Sequence, residues 1–230
     1  MVEIKDHFAK QQKKYREVVE KTNKELYKNI RKELDKNLKG VVLDIGNGGI
    51  FNYDVNKLKG IIAVDIAFKS KEDGKIKYIE GDARNLNKIK SNSCDRVVMQ
   101  FLLHHITERN KKKTYIGLKK SLKEAKRVLK KKRGELIIIE MLVNPLVENL
   151  ENIFYDINSF FFSLINRPML KFYSKVSLHN LLAESGFRKI LTKPINIGKY
   201  IDPLGGILPG FIKIPVIFYP FKCYMVVARK

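Results

Sequence analysis

The chain has 230 residues, 44% of them apolar, enough to bury the core of one α/β domain and too many for a disordered chain. Its net charge of +22 arises from 46 basic residues, 36 Lys and 10 Arg, against 24 acidic ones. Arg is the side chain that grips phosphate bidentately, so a balance so dominated by Lys reads as compositional drift more than as a nucleic-acid signature.

Cys94 and Cys223 both lie in strand-like apolar runs and read as core residues of a reducing compartment, not as a disulfide framework. Residues 1–39 are charged throughout, so no signal peptide is expected. No apolar run reaches the roughly 20 residues of a membrane span. The nearest, 207–221, is interrupted by Pro209, Lys213, Pro215 and Pro220. The expectation is a cytoplasmic protein with no membrane span; the sequence says nothing of its oligomeric state.

Residues 4–38 hold no Gly or Pro, and Leu26, Ile30 and Leu34 recur at helical spacing, so 1–39 is expected to be an N-terminal helical cap. It either lies solvated on the domain or covers a ligand pocket through Phe8 and Tyr15. From Val41 strand and helix alternate, which implies a mostly parallel, doubly wound sheet. The expected strands are 41–45, 61–65, 76–80, 95–101, 136–140, 187–192 and 223–228, seven in all, with a Lys-rich helix over 108–132. Residues 142–176 break the alternation with an aromatic helical insertion after the fifth strand. Ser177 is expected to cap a short helix that Gly186 ends. The segment 194–220 holds five of the seven prolines and is too apolar to be a solvated linker. The whole reads as a single domain: cap 1–39, core 41–141, lid 142–176, and helix and strands over 177–230.

The first strand, Val41-Val42-Leu43-Asp44-Ile45, breaks into Gly46-Asn47-Gly48-Gly49, a turn that favours glycine and brings a ligand close to the backbone. A dinucleotide turn needs G-x-G-x-x-G, and here Ile50 and Phe51 follow instead, so the pyrophosphate fingerprint is absent. An acid two residues before the first glycine suits a ligand carrying positive charge. The next strand again ends in an acid, Asp65, which can accept both hydroxyls of a ribose. Asp82 follows the third strand, and Gln100, His104 and His105 follow the fourth. Ligands of open parallel sheets sit at the carboxyl ends of the strands, so these groups form one row along the binding edge.

Asp44, Gly46 and Gly48 match the D-x-G-x-G-x-G motif of the class I S-adenosylmethionine-dependent methyltransferases, which the chain resembles; Gly49 falls one place early for the last glycine. Gly81-Asp82-Ala83 is similar to that family's adenine-contacting motif. The pieces 94–98, 125–129 and, more loosely, 181–187 look like further conserved segments of its fold. The resemblance implies a Rossmann-like sheet, S-adenosyl-L-methionine as cofactor, and contacts from Asp44, Gly46, Asn47, Gly48, Asp65, Ile66, Asp82, Ala83, Gln100, Phe101 and Tyr15. It also implies that the His104-His105 pair faces the methyl group, where a neutral histidine can take a proton from the acceptor. Both His104 and His105 are candidates for the catalytic role.

The lid, with Tyr155 and Phe161, and the 194–220 segment, with Tyr200, are expected to wall an apolar or aromatic acceptor, anionic if the positive field draws it in. A small molecule or modified peptide fits, as in natural product biosynthesis. Two alternatives remain: an RNA-modifying enzyme using helix 108–132 as a phosphate-binding face, or a silent relative acting as a binding subunit. No Asn-Pro-Pro-Tyr or Asp-Pro-Pro-Trp follows the fourth strand, no cysteine is placed as a pyrimidine-attacking nucleophile, and no zinc spacing or Walker loop occurs. No metal is expected.

Overall fold

The computed structural model describes residues 23–164, 167–202 and 213–230. The expectations for Phe8 and Tyr15, and part of that for the Pro-rich segment, lie outside the described residues. Helix α1 (Lys24–Asn37) buries Leu26, Tyr27, Ile30 and Leu34 on one face. Strand β1 (Val41–Ile45) leads through the glycine turn to β2 (Gly60–Asp65). A short β3 (Lys71–Asp73) and β4 (Ile76–Glu80) precede β5 (Arg96–Gln100) and the long helix α2 (Lys111–Val128). Strand β6 (Glu135–Val143) runs into helices α3 (Pro145–Ile153) and α4 (Tyr155–Leu164). Then come β7 (Tyr173–Ser174), α5 (Lys175–Glu184), β8 (Arg188–Pro194), β9 (Tyr200–Ile201), β10 (Ile214–Pro215) and β11 (Lys222–Arg229).

The main sheet has the order β3-β4-β2-β1-β5-β6-β11-β8, with β7 added to β6; β9 and β10 pair separately. Five central strands are parallel, and β11 runs antiparallel to both neighbours. The expected seven strands are present, but the sheet has nine. The two additions are two and three residues long, and β3 is an exposed Lys-Glu-Asp with no apolar alternation to betray it.

Apolar residues on both faces of the central strands explain their near-continuous hydrophobic runs. Leu43, Ile45, Val97, Met99, Leu136 and Ile138 face one core with Leu118 and Leu122 of α2 and Leu178 of α5. Val42, Val98, Ile137 and Ile139 face the other with Leu26, Ile30 and Leu34 of α1.

Two boundaries differ from expectation. Ser174, not Ser177, caps α5: its Oγ accepts the Ser177 N–H at 3.2 Å, while the Ser177 hydroxyl donates to Glu148 at 2.7 Å. The insertion is two helices and not one stretch, because β6 first runs on to Val143 and Asn144 with Pro145 then starts α3 afresh. Its aromatic load is divided: Phe160 and Phe161 are 61% and 60% exposed, whereas Tyr155 and Tyr173 are buried. No helix among the described residues is long and apolar enough to cross a membrane.

Candidate active site

Strand order reverses between β1 and β5, which opens a crevice at their carboxyl ends. Gly46 enters it at φ +75°, and a Cβ there would stand 2.7 Å from Leu102 Cδ1. Only glycine fits, on conformational and on steric grounds. Around Gly48, at φ +58°, the space a Cβ would occupy is open. The Gly48 N–H donates to Asp65 Oδ2 at 3.1 Å and the Ala67 N–H to Asp65 Oδ1 at 2.8 Å, so the acid of β2 holds the turn of β1 in place. Burial raises the Asp65 carboxyl against the pull of those two amides.

Asp44 is 2% exposed. Its Oδ2 accepts from the Tyr53 hydroxyl at 2.7 Å and from Asn47 Nδ2 at 3.1 Å, while Oδ1 is buried without a partner among the described residues. Burial pushes this carboxyl up to about 6, although both hydrogen bonds oppose the shift. Tyr53 is a member of the site that the motif reading missed; an aromatic nine residues beyond Asp44 was its only trace. Asn47 also accepts the Gly49 N–H, at 2.9 Å, which fixes the tip of the turn.

Next in the row, Asp82 is gripped by Arg84 through Nε at 3.0 Å and Nη2 at 2.6 Å. Burial favours its neutral form, but the Arg84 guanidinium and backbone N–H outweigh that and hold the carboxyl below its usual range. Arg84 also reaches Glu108. Ile66 and Ala83 follow their acids at the same edge, and Gln100 closes β5.

Phe101, at φ +51°, bends the chain out of β5 and sets its ring edge-on to Tyr27. A non-glycine residue held there costs about 1 kcal/mol, a strain typical of functional turns. The bend delivers Leu103–His105 over the end of β6, where Glu140 is 1% exposed. His104 Nδ1 lies 2.7 Å from Glu140 Oε1, and Glu140 also accepts the Leu103 and Met141 N–H groups. Three donors on one buried carboxylate assign the His104 proton to Nδ1, leaving Nε2 as an acceptor. His105 lies against His104 at 4.1 Å with the rings tilted by 46°, and Phe172 lies nearly parallel to His104 at 5.4 Å. Phe221 packs on Phe172 at 4.5 Å and Tyr219 on Phe221 at 5.1 Å, an aromatic wall beside the histidines. In the sequence Glu140 signals only the end of a strand.

The proposed acceptor residues are not brought together. Tyr155 is 2% exposed; its hydroxyl donates to the Glu108 carbonyl at 2.7 Å and lies 2.6 Å from Thr114 Oγ1, so it ties α4 to the start of α2. Phe161 and Tyr200 are 60% and 61% exposed. The ring that does stand beside His104 is Phe172, which Phe221 and then Tyr219 back in turn.

Comparison with known proteins agrees with this geometry. The profile of a methyltransferase domain matches residues 43–138, from within β1 to within β6. Residues 43–138 are a methyltransferase domain, on the fold of the class I S-adenosylmethionine-dependent methyltransferases. No curated protein gives a significant match. Among solved structures, the chain is similar to a protein assigned as a methyltransferase in complex with the Haloferax volcanii Trm112 methyltransferase activator (12% identity, 100% of this chain and 98% of that one, TM-score 0.67). It is also similar to Burkholderia thailandensis 1,6-didemethyltoxoflavin-N1-methyltransferase, solved with 1,6-didemethyltoxoflavin and S-adenosylhomocysteine (14% identity, 99% and 87% coverage, TM-score 0.59). The cyclase SpnF shares the fold as well (13% identity, 88% and 80% coverage, TM-score 0.54).

S-adenosyl-L-methionine is the cofactor that a methyltransferase domain on this fold implies. The residues present fit it: an orphaned buried carboxylate oxygen awaits a cation at Asp44, open space surrounds Gly48, and two further acids stand in line.

Proposed function

We propose that this methyltransferase alkylates an oxygen or nitrogen of a small molecule or modified peptide with an apolar or aromatic face, at the crevice between β1 and β5. Asp44 Oδ1 takes the cofactor's ammonium group, Asp65 its ribose hydroxyls and Asp82 the amino group of its adenine. Gly46, Asn47 and Gly48 shape the turn against it, and Ile66, Ala83, Gln100 and Phe101 line its flanks. When bound, S-adenosylmethionine supplies a methyl group on a sulfonium, open to in-line displacement, so that alignment alone accounts for much of the rate.

The observation that carries the reading is the His104–Glu140 pair at the end of β5 and β6. Glu140 holds the Nδ1 proton of His104 in place, and Nε2 accepts the proton that the acceptor's hydroxyl or amine sheds as its new bond to carbon forms. His105 packs against His104 and keeps its ring oriented. Phe172, Phe221 and Tyr219 give the acceptor an apolar surface and displace water from the imidazole.

The test is transfer of tritiated methyl groups from S-adenosylmethionine into an extract of the source organism, fractionated into small molecules, peptides and RNA. Label in the small-molecule or peptide fraction is the expected result. Label confined to RNA would replace this reading by the nucleic-acid one. The absence of any transfer, with cofactor binding intact, would favour a silent binding subunit.

A further inference from the structure

At the opposite end of the sheet, where β5, β6 and β8 begin and β11 ends, lies a cavity of about 550 Å³. Nine of its eleven lining residues are Lys or Arg, and its one acid is Glu135. That acid is already used: it pairs with Arg96 Nη2 at 2.9 Å and with Arg229 Nε at 2.9 Å. Arg96 spends its other donors on the carbonyls of Asn37, Asp95 and Arg133, and so supports the floor. Lys39, Lys131, Lys132, Arg133, Arg188 and Lys189 are exposed at the rim, with no acidic partner among the described residues.

The backbone is arranged to gather these charges. Gly134 lets the Lys131–Arg133 turn close, since a Cβ there would sit 2.4 Å from the Lys130 carbonyl oxygen. Lys189 adopts φ +49° where the β8–β11 register shifts, a left-handed conformation that lysine disfavours. Strain and like-charge repulsion gathered in one concavity are costs that a bound polyanion offsets. Burial, and then Lys126, Lys131 and Arg127, press the Lys230 ammonium below its ordinary value. No aromatic or aliphatic side chain lines the cavity, so it has neither a stacking surface for a base nor a seat for an acyl chain.

We infer that this cavity binds an anion bearing two or more phosphate groups, held by Arg133 and Arg188 as bidentate forks and by Lys131, Lys132 and Lys189 as point charges. The ligand is a free polyphosphate chain or consecutive phosphates of a nucleic-acid strand, read without regard to base. The site lies across the sheet from the cofactor crevice and does not depend on the methyl-transfer reading.

The test uses the full chain at low salt, titrated with tripolyphosphate and, separately, with a short single-stranded oligoribonucleotide. The variant Lys132→Ala/Arg133→Ala/Arg188→Ala removes three cations from the cavity. Lys111→Ala/Lys112→Ala/Lys113→Ala removes three from the first turn of α2 and serves as the equal-charge control. All six side chains are exposed, and thermal melting checks that both variants fold. The cavity variant should weaken binding at least ~tenfold, and the control less than ~threefold. For the oligoribonucleotide, the slope of log affinity against log salt should fall by about 2 in the cavity variant. Tripolyphosphate bound with this pattern identifies a free polyphosphate ligand; the oligoribonucleotide alone bound with it identifies a nucleic-acid strand. Equal losses in the two variants, or no binding of either probe, would overturn the proposal.

Discussion

Replacing Asp44 by Asn separates what that carboxylate does for the fold from what it does for the cofactor. Burial lifts the folded carboxyl from 3.8 to about 6. A folded state that holds its proton more tightly than the unfolded chain loses stability as pH rises from about 4 to about 6, and stays lower above that. Some two units at 1.36 kcal/mol each give a penalty of roughly 3 kcal/mol at pH 8. An Asn side chain is uncharged and its carbonyl oxygen, set where Oδ2 stands, still accepts from both Tyr53 and Asn47, but its NH2 takes the buried position of Oδ1, where donors without an acceptor cost about 1–2 kcal/mol. Net stabilisation of the cofactor-free protein should therefore be about 1–2 kcal/mol at pH 8 and vanish near pH 5, read by urea unfolding at several pH values. Saturation at a hundredfold excess over Kd should stabilise the native protein by about 2.7 kcal/mol and leave the variant unchanged, which reverses their order. A variant that is less stable than the native chain at pH 8, with the same pH dependence, would refute the reasoning.

Asp65→Ala removes the ribose acceptor and should weaken cofactor binding by about 1.5–3 kcal/mol in calorimetric titration. Glu140→Gln leaves the cofactor Kd unchanged but releases the His104 tautomer, and kcat should fall by about 10²–10⁴ in steady-state assays. Tyr155→Phe removes the hydroxyl that joins α4 to Thr114 and Glu108 and should cost about 1–2 kcal/mol, with faster amide exchange in α4. Because the Asp44 carboxyl titrates near 6 without cofactor, affinity should decline by up to tenfold per pH unit below that point, measured by titration from pH 8 to 5.

Much of the strand-end row that edges the crevice was legible because it is written locally. Three strands that each end beside an acid, and a turn whose glycines adopt positive φ, leave a trace in residue order at Asp44, Gly46, Asp65 and Asp82. The other half depends on pairs far apart in sequence. Glu140 meets His104 across 36 residues and Tyr155 meets Thr114 across 41, and neither pair has a spacing rule that announces it. Phe172 and Phe221 face the histidines because the chain after α4 returns along β7 and because β11 closes the sheet, which is topology and not pattern. β3 was hidden by its charge, and the cap of α5 by a choice between two serines three residues apart. The basic composition was read as drift, yet at the far end of the sheet it is gathered into a single concavity.

The central claim is that acids at successive strand ends hold one nucleoside that bears a positive charge. A crystal structure with S-adenosylhomocysteine tests it most directly. The ammonium should lie within about 3.2 Å of Asp44 Oδ1 and the ribose hydroxyls within the same distance of Asp65. A ligand that sits elsewhere, with Asp44 Oδ1 still unpartnered, would contradict the account.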